Sequence, residues 1–171
     1  MIRFAEINDL KRITEIYNYE IKNGVATFDE VEKTIDERKK WFDMHDRENN
    51  PIFVYTINNE VLGYVSLSKY RMHEAYSRTA ELSLYVDVSS RGKKIASKLM
   101  EYVIDYAKTK TNLHTIISVI TTGNEKSTHL HVKYNFSYSG TLKEVGFKFN
   151  NYLSVDNYIL IINRWFIKNF T

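Results

Sequence analysis

The stretch Thr79–Leu99, TAELSLYVDVSSRGKKIASKL, organises the chain. Ala80, Leu82, Leu84 and Val86 fall on one face of an extended segment, and Glu81, Ser83 and Tyr85 on the other. That period-two alternation is the pattern of a strand with one buried face. Asp87–Ser90 breaks the pattern. Arg91-Gly92-Lys93-Lys94 then leads into Ile95, Leu99, Val103 and Ala107, whose four-residue spacing makes one stripe of a helix. Free backbone N–H groups and the positive end of the helix dipole converge where such a helix starts, so a basic loop there suits an anion. Without an anion the cationic residues oppose the dipole. A carboxylate on the preceding strand, one loop from an anion site, points to base chemistry beside a phosphate-bearing cofactor.

At 171 residues, 43% apolar and 26% charged, the composition is that of a globular protein, expected as a single domain over residues 1–171. No apolar run approaches about 18 residues, so no membrane span is expected. The start MIRFAEIND has no basic region followed by an apolar core, so no secretory leader and a cytoplasmic location are expected. The chain has no cysteine, which excludes a thiol nucleophile, a thiolate metal site and disulfides. A net charge of +3 from intermixed acidic and basic residues gives no case for nucleic acid. Five scattered histidines, with His129 and His131 on different faces of any helix, give none for a metal. One proline and six glycines are few for a chain with many turns, so asparagine is expected at turn positions needing positive φ.

Around the central stretch, Ile2–Ile7 alternates as an edge strand. Asn8 then caps a helix with Leu10, Ile13, Ile16 and Tyr17 on its buried stripe, stopped by Asn23-Gly24. Val25–Phe28 is an apolar loop or short strand. Thr34-Ile35-Asp36-Glu37 is a capping box opening a second helix through Trp41 and Phe42. Ile52–Thr56 and Val61–Ser68 make a hairpin around Asn58-Asn59, and Lys69–Arg78 is a polar loop. Thr115–Ile120, TIISVI, is a continuous apolar run and so a central strand. A short helix over Asn124–Lys133 precedes strands Asn135–Gly146 and Tyr152–Ile162, joined at Asn150-Asn151. The order predicts an α/β or α+β domain with a mixed sheet and helices on both faces.

This order, with Arg91-Gly92-Lys93-Lys94-Ile95-Ala96 between the fourth strand and third helix, resembles the GNAT superfamily of acyl-CoA N-acetyltransferases. Lys94 stands where the family pattern has glycine. Asn124-Glu125-Lys126-Ser127 followed by His131-Val132-Lys133-Tyr134-Asn135-Phe136 is similar to a second family signature. Ile2-Arg3, Ile16-Tyr17-Asn18, Ala26-Thr27-Phe28, Glu37-Arg38, Trp41-Phe42, Ala75-Tyr76, Thr79-Ala80-Glu81, Tyr85-Val86, Gly140-Thr141-Leu142 and Gly146-Phe147-Lys148 resemble the phosphinothricin N-acetyltransferase family, in order along nearly the whole chain. The resemblance implies a mostly antiparallel twisted sheet of about seven strands. It also implies a homodimer and direct transfer of acetyl from acetyl-CoA to the amine of an amino acid such as phosphinothricin, methionine sulfoximine or methionine sulfone.

The resemblance puts a catalytic glutamate at Glu81, to take a proton from an amine that is mostly ammonium at neutral pH. Backbone groups of Leu84, Tyr85 and Val86 would meet pantetheine as an added strand edge does. Arg91, Gly92, Lys93, Lys94, Ile95, Ala96 and Ser97 would hold the pyrophosphate, and Asn124 and Ser127 the CoA arm. Asn124 also reads simply as a helix N-cap. His131 sits where many members have a tyrosine that protonates the departing thiolate. For the acceptor, Phe28, Tyr76, Arg71, Arg78 and Lys148 supply apolar walls and cations for a carboxylate or phosphinate. An acetyltransferase for another amine, a polyamine or a protein N-terminus, is the alternative within this class, and a CoA-binding module without catalysis the alternative outside it.

Overall fold

A computed structural model describes residues 1–162. The elements follow the expected order. They are β1 (Ile2–Phe4), α1 (Leu10–Asn23), α2 (Ile35–Asp43), β2 (Ile52–Ile57), β3 (Glu60–Lys69), β4 (Thr79–Val86), α3 (Ile95–Lys110), β5 (Thr115–Thr121), α4 (Glu125–Lys133), β6 (Ser137–Lys148) and β7 (Asn151–Ile161). One seven-stranded sheet has the order β1-β2-β3-β4-β5-β7-β6, antiparallel except for the parallel pair β4–β5.

The alternation in β4 sorts the two sides of the sheet. Ala80 and Leu82 face α3, where they pack with Ile95, Leu99, Val103, Ala107 and the β5 residues Ile116 and Ile120. Tyr85 faces the opposite side, against the cluster of Ile13 and Ile16 of α1, Trp41 of α2, Val54 and Tyr64. The stripe on α3 is buried throughout, and Ile95, Leu99 and Val103 each contribute about 1.5–3 kcal/mol of transfer free energy. No helix among the described residues is long and apolar enough to cross a membrane.

Local chemistry explains where the boundaries differ from the sequence reading. The first strand ends at Phe4, because Arg3 turns to pair with Asp9 and the Asp9 carboxylate accepts from the Glu6 N–H at 2.8 Å. That arrangement starts a 3-10 turn at Ile7–Asp9, and α1 begins at Leu10 rather than after Asn8. The capping box at Thr34 and Glu37 forms as expected. Asparagine does take up left-handed turn positions: Asn58, Asn59, Asn135 and Asn150 all have positive φ. The last hairpin turns one residue earlier than expected, with positive φ at Phe149 and Asn150 and Asn151 already in β7.

Candidate active site

The parallel ladder between β4 and β5 holds only at Thr79–Thr115, Ala80–Ile116 and Glu81–Ile117. Both strands continue beyond it, β4 to Val86 and β5 to Thr121, without pairing to each other. The opening is a cleft of about 320 Å³ lined by residues including Glu81, Ser83, Leu84, Tyr85, Phe28, Asn124, Ser127 and His131. Past Glu81, the edge of β4 that faces β5 has no strand partner, and an extended ligand can take up its N–H and C=O groups.

Glu81 stands at the last paired rung of the splay. Its carboxylate makes no hydrogen bond or ion pair among the described residues. Burial alone pushes its carboxyl above the ordinary range, because no positive group compensates the charged form. A carboxylate so raised is a better proton acceptor than one in water.

At the far end of β4, Asp87 caps a 3-10 turn over Val88–Ser90 by accepting from the Ser89 N–H at 2.9 Å. The chain then passes Gly92 at φ 79° and Lys94 at φ 61°, ψ 17° before α3 starts. Lys94 thus adopts the left-handed conformation that glycine takes without strain, at a cost of about 1–2 kcal/mol. No side chain caps this helix, and its first internal bond runs from the Lys98 N–H to the Lys94 carbonyl. The amides of Ile95, Ala96 and Ser97 are the unpartnered donors of the first turn. With Lys93 and Lys94 beside them they fit a pyrophosphate. Arg91 turns away, forming an ion pair with Glu20 of α1.

Across the cleft, the Asn124 side chain caps α4 by accepting from the Ser127 N–H at 3.3 Å, so it is an N-cap that also lines the cleft. His131 is 5% exposed. Its Nδ1 lies 2.8 Å from the Ser127 carbonyl, an acceptor, so Nδ1 carries the proton and the buried, unpartnered Nε2 is bare. Burial lowers its pKa, against the pull of that carbonyl. To protonate a thiolate His131 would have to be the imidazolium, the form that burial disfavours.

The 24–28 loop forms the wall opposite, and side chains from three strands grip its successive carbonyls. Lys148 of β6 donates to Gly24 O at 2.9 Å and Thr27 O at 2.8 Å, Thr121 of β5 to Val25 O at 2.5 Å, and Tyr85 of β4 to Ala26 O at 3.3 Å. Phe28 is thereby set into the cleft. Lys148, 2% exposed, spends its ammonium on this loop and does not line the cleft. Arg71 lies over the Tyr70 and Tyr76 rings in the exposed loop that feeds β4, and Arg78 fastens the start of β5 through its carbonyl. None of Arg71, Tyr76 and Arg78 lines the cleft.

Tyr17 lines the cleft too; the sequence marks it through a helical stripe and the Ile16-Tyr17-Asn18 match, neither of which assigns it to the cleft. Its hydroxyl bonds Thr27 and Asp29, each at 2.8 Å, and burial pushes its pKa up to about 12. A helical tyrosine on an apolar stripe carries no signal that separates a cleft wall from core.

Comparison with known proteins agrees with this geometry. Residues 2–155 match the family model described as an acetyltransferase (GNAT) domain. The chain is 36% identical over 155 residues, 90% of each chain, to a protein of Pseudomonas paraeruginosa named L-methionine sulfoximine/L-methionine sulfone acetyltransferase. Among solved structures it is similar to an N-acetyltransferase from Staphylococcus aureus, with TM-score 0.91, 43% identity, and coverage of 95% of this chain and 98% of that one. It is also similar to a GNAT superfamily phosphinothricin acetyltransferase from Sinorhizobium meliloti in complex with AcCoA, with TM-score 0.90, 29% identity, and coverage of 95% and 88%.

Proposed function

The chain belongs to the GNAT acetyltransferase family and is an acetyl-CoA-dependent N-acetyltransferase, and on that premise we propose that it acetylates a small amino acid of the methionine sulfoximine or phosphinothricin type with Glu81 as the base. The observation that carries the mechanism is the unpaired Glu81 carboxylate at the point where the β4–β5 ladder stops. Acetyl-CoA supplies the activated thioester carbonyl; the acceptor nitrogen gains the acetyl group and CoA leaves as thiolate. Glu81 takes the ammonium proton, directly or through one water, and later releases it to solvent; the freed nitrogen lone pair bonds the carbonyl carbon, the C–S bond breaks, and the second proton shed by that nitrogen passes through solvent to the CoA thiolate. The open edge of Leu84, Tyr85 and Val86 aligns pantetheine, and an N–H there meets the charge that builds on the carbonyl oxygen. The amides of 95–97 with Lys93 and Lys94 hold the pyrophosphate, and Asn124 and Ser127 flank the arm.

On the acceptor side Phe28 forms the apolar wall. Arg71, Tyr76 and Arg78 stay outside the cleft, on the loop that feeds β4, and take no acceptor contact in this reading, while Lys148 acts through its grip on the 24–28 loop. His131, neutral, accepts a hydrogen bond at Nε2 rather than supplying a proton. A homodimer is supported by apolar residues exposed on the last hairpin, Val145, Phe147, Phe149 and Tyr152. A cytoplasmic location suits an enzyme whose donor is acetyl-CoA.

An amine panel tests the acceptor class through CoA release. L-Methionine sulfoximine, L-methionine sulfone and phosphinothricin should release CoA in step with N-acetylation. Turnover confined to polyamines or peptide N-termini would contradict the assignment.

A further inference from the structure

Beside the cleft, a second cavity of about 300 Å³ lies between α1, α2 and the face of β3 and β4 that carries Glu81. The two meet at Tyr17, Ser83 and Tyr85, which line both. We propose that this second cavity is the carboxylate subsite of the acceptor, with Arg38 as its anchor. The inference rests on the amino-acid reading above and adds to it the residue that would recognise the acid.

Arg38 is 6% exposed on α2, yet no carboxylate oxygen lies within 4 Å of its nitrogens among the described residues. Arg3, Arg12 and Arg91 each have a carboxylate partner. A guanidinium offers five N–H donors. Here one of them makes a single long bond, 3.4 Å from Nη2 to the Tyr64 hydroxyl, and Nε is buried without an acceptor. Burying an unpaired cation is unfavourable by several kcal/mol unless something compensates it. Two aromatic rings do so in part. The guanidinium carbon lies 3.7 Å from the centroid of Trp41 and 4.6 Å from that of Tyr17. Rings against the guanidinium hold it in place while leaving it short of acceptors, the state in which a planar carboxylate binds bidentately.

The rest of the lining fits. Ser66 Oγ is fully buried and has no partner, so the cavity holds a second orphaned polar atom. Ser66 is paired with Ser83 across β3 and β4, and Ser83 is two residues from Glu81 on the same face. Two residues of strand span about 7 Å. The cavity's own acids are engaged elsewhere: Asp29 accepts from Tyr17, with Lys33 3.3 Å away, and Glu37 closes the Thr34 capping box. A neutral sulfone oxygen could not serve as the missing countercharge, whereas a carboxylate does.

The test is calorimetric titration of the CoA-loaded protein, which cannot turn over, with L-methionine sulfone and with its carboxamide. The wild type should bind the acid about 10- to 100-fold more tightly than the amide, the range for a lost charge-assisted bond. Arg38→Gln should weaken the acid by that factor and leave the amide unchanged, and Arg38→Lys should recover part of the loss. Equal affinity of the wild type for acid and amide, no measurable binding of the acid, or an equal loss of both in Arg38→Gln would overturn the subsite, and the first two of these need no variant. Acid-selective binding through Arg38 without CoA release from acetyl-CoA would keep the subsite and remove the proposed reaction. Turnover of the amino acid indifferent to Arg38→Gln would do the reverse.

Discussion

Gly146 of β6 lies directly against the ring of Phe28: a Cβ on that glycine would sit 2.2 Å from Cε2 and 2.3 Å from Cδ2. The φ of Gly146 is not positive, so its lack of a side chain answers to space rather than to backbone conformation. Gly146→Ala should therefore fold and push Phe28 out of its position in the cleft. Overpacking of this kind costs about 1–3 kcal/mol of stability, and the displaced ring should lower kcat/KM for the acceptor, by about 5- to 150-fold if a comparable free energy is lost from the transition state. The KM for acetyl-CoA should stay unchanged, and steady-state kinetics with each substrate varied will separate the two.

Lys148 supplies the donor for the Gly24 and Thr27 carbonyls. Lys148→Met keeps the aliphatic stem and leaves those acceptors unmet. The expected destabilisation is about 1–3 kcal/mol for each acceptor that water cannot reach, measured by urea denaturation. Hydrogen exchange should quicken in residues 24–28 before it does in α3.

Lys94 holds a left-handed backbone at the start of α3. Lys94→Gly should raise stability by about 1 kcal/mol by relieving that strain. It also removes a charge from the anion site, so acetyl-CoA affinity should fall a few-fold at low salt. That difference should shrink at high salt as the charge is screened.

Two opposite titrations shape stability against pH. Burial lowers the pKa of His45 and His131, so the stability they contribute is present above about 6.5 and is lost as pH falls through their folded-state values. Burial raises Glu81, so its contribution is fully present below about 4.3 and is lost as pH rises through its folded-state value. Glu81→Gln should therefore gain stability over wild type at pH 7 and little at pH 4, by thermal denaturation across that range.

The elements could be read from the chain wherever local periodicity decided them. The alternation of β4, the apolar run of β5, the stripe of α3 and the Thr34–Glu37 box all depend on residues a few positions apart. Features made by distant partners could not be read that way. Lys148 looks like a free cation until β6 brings it 2.8 Å from a carbonyl 121 residues earlier. Arg38 reads as one charge in a polar helix until Trp41, Tyr17 and Tyr64 close around it. Lys94 is visible as a departure from glycine, but only the backbone reveals that it keeps the glycine conformation.

The role of Glu81 is tested most directly by the pH dependence of kcat/KM for acetylation of L-methionine sulfone by wild type and Glu81→Gln. The wild type should show an acidic limb set above the ordinary carboxylate range. Glu81→Gln should lose that limb and about 10²- to 10⁴-fold of the neutral-pH rate while binding acetyl-CoA as tightly as before. A Glu81→Gln enzyme with wild-type kcat and the same acidic limb would contradict the assignment of Glu81 as the base.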